Sequence, residues 1–364
     1  AILDEAQAKG MTVLFGLWVG QERQGFDYDD SRAVQAQFER FREVVRAYKD
    51  HPALLLWGIG NENDLFYSDY RVWNAINDIA KMIHEEDPNH PTMTVTAGID
   101  VAEVQLIKER APHIDIYGVN TYGGLIGIDK EFRSYGWDGP YIITEWGPNG
   151  HWEVPKTEWG APIEQNSSTK ADWYKKRYQK GIAADRAHCL GSYVFLWGAK
   201  QETTPTWYGV FLEDGGETEV MDNLEYVWSG KYPQNRSPHI NSLKINGKAA
   251  IENVYLQPGK AYDILADIVD PENDKLTYHW QILESEFGLT GTGGDAEATP
   301  DPMKIKLAEK MEVARHDTEF LIMENKNQFR FRSPLKPGAY RFFVYAYDGN
   351  GNAATANIPF YVRR

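Results

Sequence analysis

The chain has 364 residues, 42% hydrophobic and 25% charged, enough for a barrel-sized domain and a smaller one in an ordinary globular protein. A formal charge of −15 disfavours nucleic acid and, without a local basic patch, other strong polyanions. Cys189 is the single cysteine, so no intrachain disulfide forms, and no apolar run is long enough to span a membrane.

Residues 1–10 read as the end of a helix with Gly10 as its C-terminal cap. No signal peptide is present, which carries little weight in a chain that opens at Ala1 directly in a helical pattern. Apolar runs then recur at Thr12–Val19, Ala53–Gly60, Thr92–Ala97, Ile114–Thr121, Tyr141–Trp146 and Ser192–Trp197. Helical stretches are expected near 31–49, 68–87, 100–111, 168–188 and 219–229, the first two from apolar residues at three-to-four spacing. Continuous apolar strands such as LLLWGIG belong to parallel sheets covered on both faces. Six such units predict a (β/α)8 TIM barrel that lacks its first two strands in this chain, those strands lying on a missing N-terminal segment or a partner chain. A six-stranded version would leave two sheet edges open.

The stretch SGKYPQNRSPH, rich in Pro, Gly and polar residues, marks a boundary between a partial barrel at 1–232 and a second domain at 238–364. Beyond it AYDILADIV, KLTYHWQIL, QFRFRS and AYRFFVYAYD carry strand patterning between turn signals such as Asn246-Gly247 and Asp348-Gly349. This predicts an all-β, immunoglobulin-like antiparallel sandwich, interrupted by a long inserted loop at 286–318. Asp267, Asp270, Glu272 and Asp274 crowd one of its turns; calcium takes such oxygen ligands, but a solvated acidic turn is the preferred reading, and no metal site is expected.

Two of the barrel strands end in a carboxylate: Trp57-Gly58-Ile59-Gly60-Asn61-Glu62 and Tyr141-Ile142-Ile143-Thr144-Glu145-Trp146-Gly147. The active sites of such barrels lie at the C-terminal ends of the strands. Counting two absent strands, Glu62 ends the fourth and Glu145 the seventh, on opposite sides of one mouth. Two carboxylates about 5–5.5 Å apart can flank a glycosidic bond and cleave it with retention. Glu145 is expected as nucleophile and Glu62 as the acid that protonates the leaving oxygen and later the base that activates water. Asn61 would donate to a sugar 2-hydroxyl, and Gly58 and Gly60 would leave room for close approach. The competing reading is a pair of ordinary loop carboxylates. The 12 Trp, 21 Tyr and 15 Phe suit the apolar faces of a neutral oligo- or polysaccharide, although a large core would also use them.

Asn61-Glu62 and Glu145-Trp146-Gly147 at strand ends resemble the signatures of glycoside hydrolase clan A. The run from His51-Pro52 to Asn61-Glu62, with Asp87-Pro88-Asn89-His90-Pro91 before the next strand, is similar to the family 2 pattern around its acid/base. A separation of 83 residues between the glutamates, followed by an immunoglobulin-like domain, also resembles the endo-β-1,3-glucanases of family 158. The likeness covers about residues 1–230. It implies that Tyr122 hydrogen-bonds the nucleophile, that Trp197 floors the sugar site, and that Trp18 and Trp146 line it. Gln201, in the loop after Trp197, is a further candidate for substrate contact. Trp57 and His51 are expected to be structural.

The expected activity is retaining hydrolysis of β-glycosidic bonds, as an endo-β-1,3-glucanase on laminarin-like glucan. The alternatives are an exo-acting β-galactosidase, β-glucuronidase or β-mannosidase of the family 2 type, and a non-catalytic glycan-binding protein. The chemistry requires no cofactor. The expected location is secreted, periplasmic or at a bacterial cell surface.

Overall fold

The apolar runs of the first half form a six-stranded parallel sheet in a computed structural model that describes residues 1–285, 320–322 and 325–364. The strands are β1 (Val13–Leu17), β2 (Leu54–Ile59), β3 (Thr92–Ala97), β4 (Ile116–Asn120), β5 (Tyr141–Trp146) and β6 (Cys189–Val194), and each pairs with the next in sequence order. The sheet curls as part of a TIM-type barrel, and antiparallel sheets follow it in the chain. The chain divides into two compact units. The first is Ala1–Trp146 with Gln179–Val194, and the second is Gly147–Tyr178 with Phe195–Arg364.

In the first unit, helix α1 (Ile2–Ala8) precedes β1, and α2 (Ser31–Tyr48), α3 (Arg71–Glu86), α4 (Val101–Arg110) and α5 (Ile128–Tyr135) connect successive strands from β1 to β5. Asp30 starts α2 by accepting the Arg32 and Ala33 N–H groups, two of the donors a helix start leaves unpaired. Helix α2 buries Gln37, Phe41 and Val45, and α3 buries a stripe that includes Trp73, Ile76, Ile79 and Ile83; the two helices pack together. Strand β4 is buried at every residue and β2 at all but one, as expected for strands covered on both faces. Leu56, Met93, Val95, Ile116 and Ile142 form one core cluster of this sheet. Each such side chain contributes about 1.5–3 kcal/mol by leaving water. Among the described residues β1 and β6 pair on one side only, and Leu190 and Tyr193 of β6 are exposed.

The sequence places the sixth strand at Ser192–Trp197; it runs from Cys189 to Val194, where Cys189, Gly191 and Ser192 match Tyr141, Ile142 and Ile143 of β5. Trp197 therefore lies three residues beyond the strand. Helix α5 was not anticipated. It is short, buries only Ile128 and Phe132, and is bounded by Gly127 and Gly136, both left-handed. Too few turns exist there for a period to register.

In the second unit, α6 (Ser167–Arg177) and α7 (Glu219–Ser229) pack on each other. The helix expected at 168–188 ends at Arg177 and passes into a wider turn at Tyr178–Ile182. The C-terminal strands are β7 (His239–Ile245), β8 (Val254–Leu256), β9 (Ala261–Val269), β10 (Thr277–Glu284), β11 (Phe320–Ile322), β12 (Gln328–Arg332), β13 (Gly338–Tyr347) and β14 (Ala353–Val362). They form a five-stranded sheet in the order β11-β10-β13-β14-β8 and a three-stranded sheet in the order β12-β9-β7. One core, including Ile264, Trp280, Phe331, Phe342, Ile358 and Phe360, draws on both sheets, so they face each other as a sandwich. One pair departs from the antiparallel expectation: β14 and β8 run parallel. The loop expected at 286–318 lies outside the described residues.

A buried polar network joins parts of this unit. Lys170 donates to Glu164 and to the Thr206 carbonyl, at 2.6 Å each. Glu164 also accepts from the Thr204 and Thr206 hydroxyls and from Asn357 on β14. Arg341 on β13 donates to Asn357 and to the Pro162 carbonyl. Burial pushes the Glu164 carboxyl up, but Lys170, Thr204 and Arg341 outweigh it and the net shift is downward. Burial carries the Lys170 ammonium down against the pull of Glu164.

Candidate active site

Strand β2 ends at Ile59, and the chain turns through Gly60 into Asn61-Glu62-Asn63-Asp64. Gly60 has φ +76°, and a Cβ there would sit 2.2 Å from the Asn63 side chain. A Cβ on Gly58 would sit 2.8 Å from Leu14. The room these glycines leave is filled by the chain's own side chains rather than held open for a ligand. Glu62 itself is left-handed, with φ +52°. For a residue with a side chain this costs on the order of 1–2 kcal/mol and persists where the surroundings dictate it.

Those surroundings are visible on both sides of the turn. From the loop after β1, Gln21 donates to the Asn61 carbonyl (2.7 Å) and Arg23 to the Glu62 carbonyl. Asn63 donates back to the carbonyls of Val19 and Gly20. Farther along, Glu22 accepts from the Ser68 hydroxyl and from the Ser68 and Asp69 N–H groups. Towards β3, the Glu62 N–H donates to the Val95 carbonyl (2.9 Å), and the Asp64 carboxylate accepts the Ala97 N–H (3.0 Å).

Strand β5 carries Glu145, which stands opposite Asn120 of β4 in the ladder. The Tyr122 hydroxyl donates to Glu145 Oε2 at 2.9 Å. Asn120, two residues before Tyr122, donates to Glu62 Oε1 at 2.9 Å and to Asn61 Oδ1 at 3.1 Å. Its own Oδ1 accepts the Thr144 hydroxyl at 2.7 Å. The end of β4 thus touches both glutamates: Asn120 reaches Glu62 and Tyr122 reaches Glu145. Asn61 is fixed with its carbonyl oxygen towards Asn120 and its NH2 as the donor end. A donor aimed at a carboxylate orients it and stabilises its charge.

Asn120, Thr144, Gln21, Arg23 and Asp64 were not singled out in the sequence. Asn120 belonged to a noted strand end, Asn120-Thr121-Tyr122, but nothing in one sequence shows which of its polar residues reaches across to another strand.

The remaining candidates are placed as follows. Trp18, just past β1, is 54% exposed and available for contact. Trp146 is completely buried, so its ring belongs to the core. Trp57 is also buried, with its indole N–H on Asp87 at 2.9 Å, and His51 contacts Asp4 and the Ala53 N–H; both are structural. In the second unit, Trp197 is 57% exposed and lies edge-on to Phe211, and Gln201 is exposed in the following loop. Farther along that loop Trp207 and Tyr208 are buried, and Trp152, in the loop between β5 and α6, is exposed. The acidic turn groups differently from expectation: Asp270 and Asp274 meet Asp348 within 4.8 Å. Asp270 and Asp348 already accept backbone N–H groups of their own turns, and Glu272 accepts the Arg236 N–H.

Buried Asp64 is acted on by the charge of Glu62, and half-buried Glu103 by that of Asp64. Burial, against the Ala97 N–H bond and with Glu62 adding repulsion, pushes Asp64 up to about 7. Burial and then Asp64 push Glu103 up to about 8. No helix of the described residues is long and apolar enough to cross a membrane.

Residues 1–182 match the family profile described as glycosyl hydrolases family 2, TIM barrel domain. No curated protein matches the chain. Among solved structures, it is similar to an FMN-binding β-glucuronidase from Facaelibacterium prausnitzii L2-6, at 16% identity and TM-score 0.42, over 90% of this chain and 44% of that one. It is similar to a Bifidobacterium dentium β-glucuronidase at 17% identity and TM-score 0.45, over 64% of this chain and 39% of that one. It is also similar to a GH128 (subgroup II) endo-β-1,3-glucanase from Sorangium cellulosum at 12% identity and TM-score 0.41, over 60% of this chain and 82% of that one. The chain spans less than half the length of the two glucuronidases.

Proposed function

The chain belongs to glycosyl hydrolase family 2, and on that premise we propose that it cleaves β-glycosidic bonds with retention, with Glu145 as nucleophile and Glu62 as general acid/base. The observation that carries this reading is the pair of bonds from one strand end, Asn120 to Glu62 and Tyr122 to Glu145. They orient two carboxylates at the C-terminal ends of parallel strands, where barrel chemistry takes place. Glu145 attacks the anomeric carbon while Glu62 gives its proton to the departing oxygen. Formation of the glycosyl-enzyme removes the charge of Glu145, and Glu62, now a carboxylate, draws a proton from the water that releases the sugar. The NH2 of Asn61 faces the ring as a donor to the 2-hydroxyl, an interaction that strengthens as the oxocarbenium-like state develops. Trp18, in the same unit as both glutamates, supplies an exposed indole face for a sugar ring.

For substrate we favour a neutral β-1,3-glucan cut internally. The spacing of the glutamates and the β-sandwich that follows the barrel support this choice. Family membership itself favours a second reading, removal of terminal β-galactosyl, β-glucuronosyl or β-mannosyl units. Either substrate would be met outside the cytoplasm: in the medium, in the periplasm or at the cell surface.

Digestion of laminarin separates these readings. A ladder of oligosaccharides supports endo action on glucan. No oligosaccharide, together with cleavage of an aryl monoglycoside, supports the exo reading. Hydrolysis undiminished in Glu145→Ala overturns the nucleophile assignment. Binding to glucan without cleavage of any glycoside by the unaltered protein leaves the non-catalytic reading.

A further inference from the structure

The turn that carries Glu62 has a left-handed residue at its functional position, and a general acid works only if its carboxyl reaches the leaving oxygen. Whatever fixes that backbone therefore acts on catalysis. On the β1 side the turn is held by Gln21, Arg23 and Asn63. On the β3 side the described tethers are the Glu62 N–H on Val95 and the Asp64 carboxylate on the Ala97 N–H. Ala97 is the last residue of β3, so the second bond fastens the turn to the rigid sheet one residue beyond Asn63. Asp64 is 8% exposed, the charge of Glu62 acts on it, and its own charge acts on Glu103. A buried carboxylate beside two other acids lowers stability, and a residue placed there needs a compensating role.

The geometry points to Asp64 as a positioning residue for Glu62, tying the turn to the end of β3 and holding the general acid/base in its left-handed conformation. This rests on the assignment of Glu62 as acid/base given above. Asp64 does not touch the substrate; it acts through the backbone. The acceptor oxygen is what matters, so Asp64→Asn keeps the tether, whereas Asp64→Ala and Asp64→Ser lose it.

Two measurements on the full chain test this. The first is hydrogen exchange of peptides covering 58–68, with α2 as internal reference. Ala and Ser are expected to speed exchange in the turn and leave α2 unchanged, while Asn behaves as wild type. The second is kcat/KM for aryl β-glycosides carrying phenol or 2,4-dinitrophenol, on the glycone identified by the digests above. Phenol needs protonation to leave, and dinitrophenol does not. Ala and Ser are expected to lower kcat/KM for the phenyl glycoside roughly 100-fold, within the range of general acid catalysis, and for the dinitrophenyl glycoside less than about threefold. An equal fall on both substrates, unchanged exchange in the turn, or an Asn variant as impaired as Ala overturns the proposal. So does failure of both Ala and Ser to fold, since the bond would then hold the fold rather than the turn. If the wild type hydrolyses nothing while exchange still responds to Asp64, the functional reading falls and the tether stands.

Discussion

Tyr122 and Asp64 show how single side chains bear on the two glutamates. The Tyr122 hydroxyl bonds Glu145 at 2.9 Å. A bond to a charged group contributes about 1.5–3 kcal/mol. Tyr122→Phe is therefore expected to lower kcat/KM by roughly 10- to 100-fold with little change in thermal stability, measured by steady-state kinetics beside a melting curve. Asp64 carries a pH signature of its own. Its carboxyl is pushed up to about 7 by burial, against 3.8 ordinarily, so between these values the folded protein binds the extra proton. Stability must then fall as pH rises through that window. Asp64→Asn removes the ionisation. The variant is expected to match wild type near pH 4 and to exceed it near pH 8 by on the order of a few kcal/mol in urea unfolding. Equal differences at both pH values would show that Asp64 titrates normally. The two strand-end glutamates of this candidate site were legible in the sequence, because a carboxylate closing an apolar run stands out. Asn120 was not, because its meaning comes from reaching a neighbouring strand rather than from its own surroundings.

Elements were legible in proportion to how much period they carry. Helices α2 and α3 show an apolar stripe over many turns, and β9 appears in the sequence at its observed bounds. Helix α5, with two buried residues, leaves no such trace. Strand β6 was misplaced because Phe195-Leu196-Trp197 is as apolar as a strand, yet the ladder with β5 runs through Cys189 and Gly191. Strand β8 has three residues, and its parallel pairing with β14 is set by a distant partner. Helix α6 has a weak apolar stripe because it buries a charge. Lys170 is 5% exposed and bonds Glu164, itself fully enclosed by hydroxyls and Asn357. Removing one partner of such a pair leaves the other charge uncompensated, at a cost of about 3–5 kcal/mol. Lys170→Met is expected to lower stability by that amount in denaturant unfolding, and Glu164→Gln in the same chain to restore part of it. A double variant no more stable than Lys170→Met would mean that the two charges are not coupled.

At the scale of the whole molecule, the question is whether the sandwich is a separable appendage. The second unit runs from Gly147–Tyr178 to Phe195–Arg364, so α6, α7 and the sheets fall together within it. The links are specific. The Ser168 hydroxyl accepts the Ile240 N–H and the Ser167 hydroxyl accepts the Thr355 N–H, both buried. Asn357 and Arg341 complete the surroundings of Glu164 and Pro162. A chain ending at Ser237 would strip these partners from α6 and leave the Glu164–Lys170 pair open to water on one side. Losing several buried polar bonds of about 1 kcal/mol or more each, together with the packing of α6 on β7 and β14, should lower Tm by roughly 10 °C. Trypsin should then cut first within 147–178, where Lys156, Lys170, Lys175, Lys176 and Arg177 lie. Melting curves and timed proteolysis of the shortened and full chains check this. An unchanged Tm with the same cleavage order would mean that the sandwich is an independent module. A lowered Tm with early cuts around α6 would make it part of the scaffold of the second unit, which also carries Trp197 and Gln201.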